Sequence, residues 1–384
     1  MAQLASLALV LMALVAMAAP GSSRATVPVA PGLSAEIVVS GIPRPIQLAL
    51  GPDRSLVVLS HGWIGDAAAE IVVVDLNGLL PVDGALLPRV VVPFAEDPRK
   101  TVLGSLALDP RTGDWILGEE NGNRIYRLTM QGKLSPLAVG LNHLVGGSGI
   151  AFDREGRLVV IDFVSSETQL RSESQPLPAF DWLAGEGYQG PLVLRIDLGE
   201  ERPLPRRLDL AAPFFPRGWP RGDSPPAHRF VAVAGSPNGD IVLLDSLGQV
   251  KRLTRDGTLH LLAHLGSGHY HRTNMAVGPD GTVVVSTGFH IRRLLSISPG
   301  GTITNIAWDL GDPNGLVIDA SGAIYLAETA HHRILRIAVV EMGAPDIAPP
   351  TPHRSEGPGG PGTRLDIPTG HQAPSTIAAV SPRT

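Results

Sequence analysis

Leu106-Ala107-Leu108-Asp109-Pro110-Arg111-Thr112-Gly113-Asp114-Trp115-Ile116-Leu117 is the stretch that decides the fold. An apolar run, a turn made of Asp, Pro and Gly, and a second apolar run describe two short antiparallel strands joined by a turn. The same pattern opens at Leu48, where the turn reads Gly51-Pro52-Asp53-Arg54, and again at Ile150, Val233, Met275 and Leu316. The turn glycines Gly113, Gly156, Gly239, Gly281 and Gly322 recur about 42 residues apart, with one doubled interval between Gly156 and Gly239. The first copy has Arg54 where the others have glycine. The doubled interval holds no further turn motif, so it contains one unit with long insertions. That gives six copies.

A unit of about 40 residues with four strands is a propeller blade, and a ring of six leaves only short, protected edges. The expected fold is therefore all-β, a six-bladed β-propeller. The last copy supplies three strands, near residues 316–318, 324–327 and 334–339. Its fourth is expected from Ala35-Glu36-Ile37-Val38-Val39, which would close the ring with the two ends of the repeat region. A β-sandwich with coincidental turn spacing is the competing architecture.

The remaining composition narrows the function. Among 384 residues, 31 Lys and Arg face 36 Asp and Glu for a net charge of -5, so the basic footprint that nucleic acid requires is missing. With no Cys, disulfides, thiolate metal sites and thiol nucleophiles are excluded. Gly and Pro make up about a fifth of the chain, as many turns between short strands require. Residues 4–19 form an apolar run ending in Ala16-Met17-Ala18 and Pro20, the pattern of a secretory signal, although no Lys or Arg precedes it. The expected organisation is a signal peptide over residues 1–25, a propeller over 33–340 and a disordered Pro/Gly-rich tail over 341–384. The expected location is secreted or periplasmic, with no membrane contact beyond the signal segment.

Three strings, Asn121-Gly122-Asn123-Arg124-Ile125-Tyr126-Arg127-Leu128, Pro313-Asn314-Gly315-Leu316-Val317-Ile318-Asp319 and His332-Arg333-Ile334-Leu335-Arg336-Ile337, carry a resemblance. The chain resembles the six-bladed propellers of the gluconolactonase-like (senescence marker protein), NHL-repeat and TolB-like superfamily, over about 300 residues. Lactonases, esterases, lyases and interaction scaffolds all belong to it. The resemblance implies a ligand site over the central channel, on the face opposite the Asp-Gly turns.

Residues can then be sorted by face. The first-strand entrances bring Gln47, Ser105, Ser148, Asn274 and Asn314 to the channel mouth, with His228 and Arg229 just before the fourth blade. Eight of the 12 His map to this face: His61, His143, His228, His269, His271, His290, His331 and His332. Imidazoles gathered over a channel suit metal coordination or proton transfer. His271 and His228 are the acid/base candidates. His269, His271 and His143 are the metal candidates, for a divalent ion such as zinc or calcium. Arg229 and Arg272 would meet a carboxylate or oxyanion. Gln47, Ser105, Ser148, Asn274 and Asn314 would orient the substrate. The same polar loops equally describe a solvated face, and Asn314-Gly315 equally describes a turn.

Gluconolactonase-like enzymes hold a divalent cation with a Glu at the first entrance, together with Asn and Asp from later ones. Here Gln47 stands where that acid is expected, and Asn274 and Asn314 occupy later entrances. An amide brings only a neutral oxygen to a hard cation. Two insertions, residues 165–190 and 211–229, carry Phe180, Trp182, Tyr188, Phe214, Phe215 and Trp219. Trp182 and Trp219 are ligand-gripping candidates on lids, and packing of these rings against one another is the alternative. Phosphate loops, a nucleophile elbow and an HExxH helix are all missing from the sequence. Two readings stand: a metal- or His-dependent hydrolase or lyase acting on a small molecule, and a non-catalytic propeller binding a peptide, glycan or envelope partner.

Overall fold

The turn glycines take the backbone conformation that their residue type permits. Gly113, Gly156, Gly239, Gly281 and Gly322 have φ between +74° and +90°, and Arg54 enters the same left-handed region at +61°. Each turn closes an antiparallel pair, and six such pairs seed six sheets. The computed structural model describes residues 27–60, 68–93, 102–120, 123–142, 147–164, 180–188, 190–200, 202–217, 228–266, 268, 270 and 273–340. The expected signal segment and tail lie outside them.

Strand β1 (Leu33–Ser40) precedes the first blade, which is β2 (Pro45–Leu50), β3 (Ser55–Ser60), β4 (Glu70–Asp75) and, after the short β5 (Val82–Asp83), β6 (Arg89–Val91). The second is β7 (Leu103–Leu108), β8 (Trp115–Glu119), β9 (Arg124–Leu128) and β10 (Leu134–Val139). The third holds β11 (Ile150–Phe152), β12 (Leu158–Phe163) and β13 (Pro191–Ile196), with helix α1 (Asp181–Gly185) before β13 and the short β14 (Arg206–Arg207) after it. The fourth is β15 (Phe230–Gly235), β16 (Ile241–Asp245), β17 (Gln249–Leu253) and β18 (Leu259–His264). The fifth is β19 (Asn274–Val277), β20 (Val283–Ser286), β21 (Leu294–Ile297) and β22 (Ile303–Ala307), with helix α2 (Gly288–Ile291) between its middle strands. The sixth is β23 (Pro313–Ile318), β24 (Ile324–Glu328) and β25 (Arg333–Val339).

Strand β1 lies antiparallel on β25, from Leu33↔Val339 to Ser40↔Arg333. The ring therefore closes as expected, with the N-terminal strand completing the last blade. Buried aliphatic side chains fill the gaps between neighbouring sheets. Val38, Val39, Leu48, Val58, Val72 and Ile334 join blades six and one, and Ile116, Ile125, Ile150, Val160 and Leu192 join two and three. Each fully buried Val or Ile contributes roughly 1.5–3 kcal/mol, so these seams stabilise the ring more than any single loop does.

Two features depart from four plain strands per blade. First, β5 and β14 leave their own blades and pair in parallel with the outermost strand of the blade before, Val39↔Val82 on β1 and Ala138↔Arg206 on β10. Each is followed by a 3-10 turn, Gly84–Leu86 and Leu208–Leu210. Blades one and three thus each clasp a neighbour. Second, the third sheet holds three strands, and its outer edge is touched by an isolated bridge between Val193 and Phe215. Pro213 and Pro216 flank Phe214-Phe215 and lack the N–H groups that a longer ladder needs.

Candidate functional site at the channel mouth

The six innermost strands, β2, β7, β11, β15, β19 and β23, enclose a central cavity of about 310 Å³. Below its mouth the wall is apolar, with Leu50, Leu108, Ile150, Val233, Val277 and Ile318. Gln47, Ser148 and Asn274 supply the polar end. The sequence places these three at strand entrances, and the structure brings them into one lining.

Bonds between blades hold the mouth together. Gln47 Nε2 donates to the Gly104 carbonyl at 3.1 Å, and the Gly147 N–H reaches the same oxygen at 2.9 Å. Ser148 Oγ donates to Asn274 Oδ1 at 2.6 Å and accepts the Met275 N–H at 3.3 Å. Ser286 Oγ donates to the Asn314 carbonyl at 2.5 Å and accepts the Asn274 N–H at 3.2 Å. Asn314 Nδ2 donates to Thr329 Oγ1 at 3.1 Å, and that hydroxyl donates to the Pro45 carbonyl at 2.7 Å. Contacts of this kind link all blades but the fourth, which joins where the Val233 N–H meets the Ser148 carbonyl at 2.8 Å.

Asn274 differs from the rest. It is 2% exposed, and its Nδ2, like the neighbouring Thr273 Oγ1, has no hydrogen-bond partner. Asn314-Gly315 is not a turn. Both residues lie in β23, and a Cβ at residue 315 would stand 2.5 Å from Gln47 Cα, so glycine there permits the close approach of blades six and one.

Around the mouth stands an outer ring where the second strands end. Blades two, four and six end in Glu119, Asp245 and Glu328, all buried, and turn tightly into the third strand. Tyr126 donates to Glu119 at 3.1 Å, and Lys251 pairs with Asp245 at 2.8 Å. Burial, with the Glu119 charge adding to it, pushes the Tyr126 phenol above its ordinary value. In blades one, three and five the link is longer in sequence. One of these carries α2, whose exposed Phe289 stacks on His290 with centroids 3.8 Å apart. Longer and shorter links thus alternate from blade to blade.

The other candidates fall as follows. His228 is exposed, and Arg229 is half-buried with its guanidinium 5.9 Å from the Phe163 ring, both at the entrance to β15. Ser105 is buried in β7. Trp182 is 44% exposed, and its indole donates to the Asp209 carbonyl, beside the clasp on blade two rather than in the cavity lining. Phe180, Tyr188, Phe214 and Phe215 are buried in inter-blade core, so these four rings pack rather than grip. His143, His269, His271, Arg272 and Trp219 lie outside the described residues. The mouth amides fit a hard cation poorly, because Asn274 Oδ1 is taken by the Ser148 hydroxyl and no carboxylate among the described residues stands in the cavity lining. Among the described residues no three His, Asp or Glu gather to hold an ion. Sequence reasoning counted His331 only as one of eight His on this face and missed its approach to Gly311, where a Cβ would stand 2.3 Å from His331 Nδ1.

No family model matches the chain, and no curated protein matches it. Solved structures do. A streptogramin B lyase superposes with a TM-score of 0.50 at 13% identity, covering 80% of this chain and 98% of its own. A virginiamycin B lyase from Staphylococcus aureus gives 0.50 at 14%, covering 80% and 99%. A gluconolactonase from Xanthomonas campestris gives 0.52 at 16%, covering 84% and 96%. At these identities the likeness is one of fold alone, a six-bladed propeller such as these proteins share.

Proposed function

We propose that this chain is an extracytoplasmic enzyme acting on a small carbonyl compound at the channel mouth, as a lactone or ester hydrolase or as a lyase. The observation that carries the reading is Asn274 Nδ2, a buried donor without a partner at the polar end of an apolar channel. An unanswered buried donor costs about 1–3 kcal/mol, and a carbonyl or developing oxyanion would answer it. The fold shared with proteins described as a lactonase and as lyases supports the same class. The apolar run of residues 4–19 supports export.

In this reading His271 and His228 move protons, and Arg229 and Arg272 meet the anionic part of the substrate. Gln47, Ser105, Ser148, Asn274 and Asn314 orient it, with Trp182 and Trp219 as further contacts. Zinc or calcium enters through His143, His269 and His271. A second reading, a scaffold for a peptide, glycan or envelope partner, draws support from the mouth bonds themselves, because Gln47, Ser148 and Asn314 already spend much of their bonding capacity between blades.

Elemental analysis of the untagged protein after dialysis in metal-free buffer, followed by a lactone and ester panel, tests the choice. About one equivalent of metal together with turnover of any panel member supports the enzyme. Absence of turnover with the metal restored moves the weight to the scaffold.

A further inference from the structure

We propose that His331 is a proton-accepting site on the mouth face of the sixth blade, held with its proton on Nδ1 by the buried carboxylate of Glu328 and with Nε2 turned outward. This rests on the enzymatic reading above and adds a proton acceptor to His271 and His228.

Glu328 ends β24 with none of its side chain exposed. Its Oε1 accepts the Gly311 N–H at 2.7 Å and lies 3.3 Å from His331 Nδ1, and Arg333 Nε donates to its Oε2. A carboxylate that already accepts from the Gly311 N–H and Arg333 Nε is suited to accept from His331 as well, which is the arrangement that puts the imidazole proton on Nδ1. The His331 side chain is 48% exposed, so the ring is about half open to solvent.

The second blade shows that the carboxylate does not need this imidazole. Glu119 faces Arg124 across its strands in the register in which Glu328 faces Arg333, and the link that follows it contains no His. There the Tyr126 hydroxyl holds the acid, so a carboxylate at this position can be answered without an imidazole. His331 is an addition, and Glu328 orients it. The backbone also makes room. A Cβ at residue 311 would overlap the His331 ring, and Gly311 removes it.

The next residue is fixed in the opposite sense. His332 Nδ1 accepts the Arg44 N–H at 3.0 Å, so its neutral ring carries the proton on Nε2. Adjacent imidazoles are thereby set as one acceptor and one donor. In hydrolysis, His331 Nε2 would take a proton from water as the water oxygen bonds the carbonyl carbon. It would return that proton to the leaving oxygen as the C–O bond breaks.

Long-range proton–nitrogen spectra of the full chain with labelled histidine test the seat, with His331→Gln assigning the signals. The expected result is a lone-pair shift on His331 Nε2, lost in Gly311→Ala and in Glu328→Gln. A proton found on Nε2 in the parent protein overturns the proposal, as does an unaltered tautomer in both variants. On any panel substrate that turns over, His331→Gln should lower kcat by about 100-fold or more with little change in KM. Parent-level kcat in a folded His331→Gln protein overturns the proton transfer while leaving the enzymatic reading intact. No turnover by the parent protein removes the enzymatic reading and the proton transfer together, whereas the tautomer still decides the seat.

Discussion

The Ser148 hydroxyl donates to Asn274 Oδ1 at 2.6 Å, although Ser148 belongs to the third blade, Asn274 to the fifth, and the fourth stands between them in the ring. Such a bond forms only near the axis, where non-adjacent blades approach. It leaves the Asn274 amide nitrogen as the unanswered donor of the pair.

Ser148→Ala should destabilise the protein by about 1–3 kcal/mol, because Asn274 then loses the partner of its oxygen as well. In a cycle with Asn274→Ala, urea unfolding should show coupling of about 0.5 kcal/mol or more. Additive costs would mean that the hydroxyl and the amide do not interact.

Two glycines should respond very differently to alanine. Gly315→Ala drives a methyl group into the Gln47 backbone and should cost about 3 kcal/mol or more. Gly113→Ala meets no neighbouring atom, and left-handed strain alone should cost about 1–2 kcal/mol. Thermal unfolding of the two variants side by side gives the order, and the reverse order would contradict the close approach of blades six and one.

The closing seam should depend on its apolar pairs and hardly at all on its ions. Val39 and Ile334 face each other there and are buried, so Ile334→Ala should cost about 2–5 kcal/mol. Glu36 and Arg336 stand 3.8 Å apart and half exposed, so Glu36→Gln should change stability by less than about 1 kcal/mol. Chemical unfolding of both variants checks the contrast.

Asp280 predicts an acid effect. The Thr282 N–H, and after it the Thr282 hydroxyl, hold its carboxyl below the ordinary value. A depressed carboxyl contributes stability above its unfolded value, near about 3.9, and loses it as pH falls through the folded value. The melting temperature should therefore exceed that of Asp280→Asn at pH 6, and the gap should close towards pH 2. A gap that persists at pH 2 would assign the effect to the amide rather than to the charge.

The fold was legible because a turn with one left-handed residue leaves a mark in the sequence. Gly113 and its counterparts repeat, and even Arg54 stands in the expected place. The mouth was legible in part, since Gln47, Ser148 and Asn274 each stand at or near the start of an inner strand. Their partners were not, because the bond from Ser148 to Asn274 joins residues more than a hundred positions apart and no local pattern records it. The clasps escaped for a different reason: β5 and β14 are two residues long, too short for any period. The aromatic residues of the insertions left two readings open because a ring on a polar loop reads the same whether it faces a ligand or, as Phe214 and Phe215 do, the core.

The pairing of β1 with β25 also sets the order of folding. Leu33 meets Val339 only after every blade has been made, and closing so large a loop costs on the order of 5 kcal/mol of chain entropy. While the chain is being synthesised, its first strand has no partner, and the growing stack presents an open edge at each end. The seven-residue strand β25, not the first blade, completes the circle, so the native ring cannot close until that strand has been made.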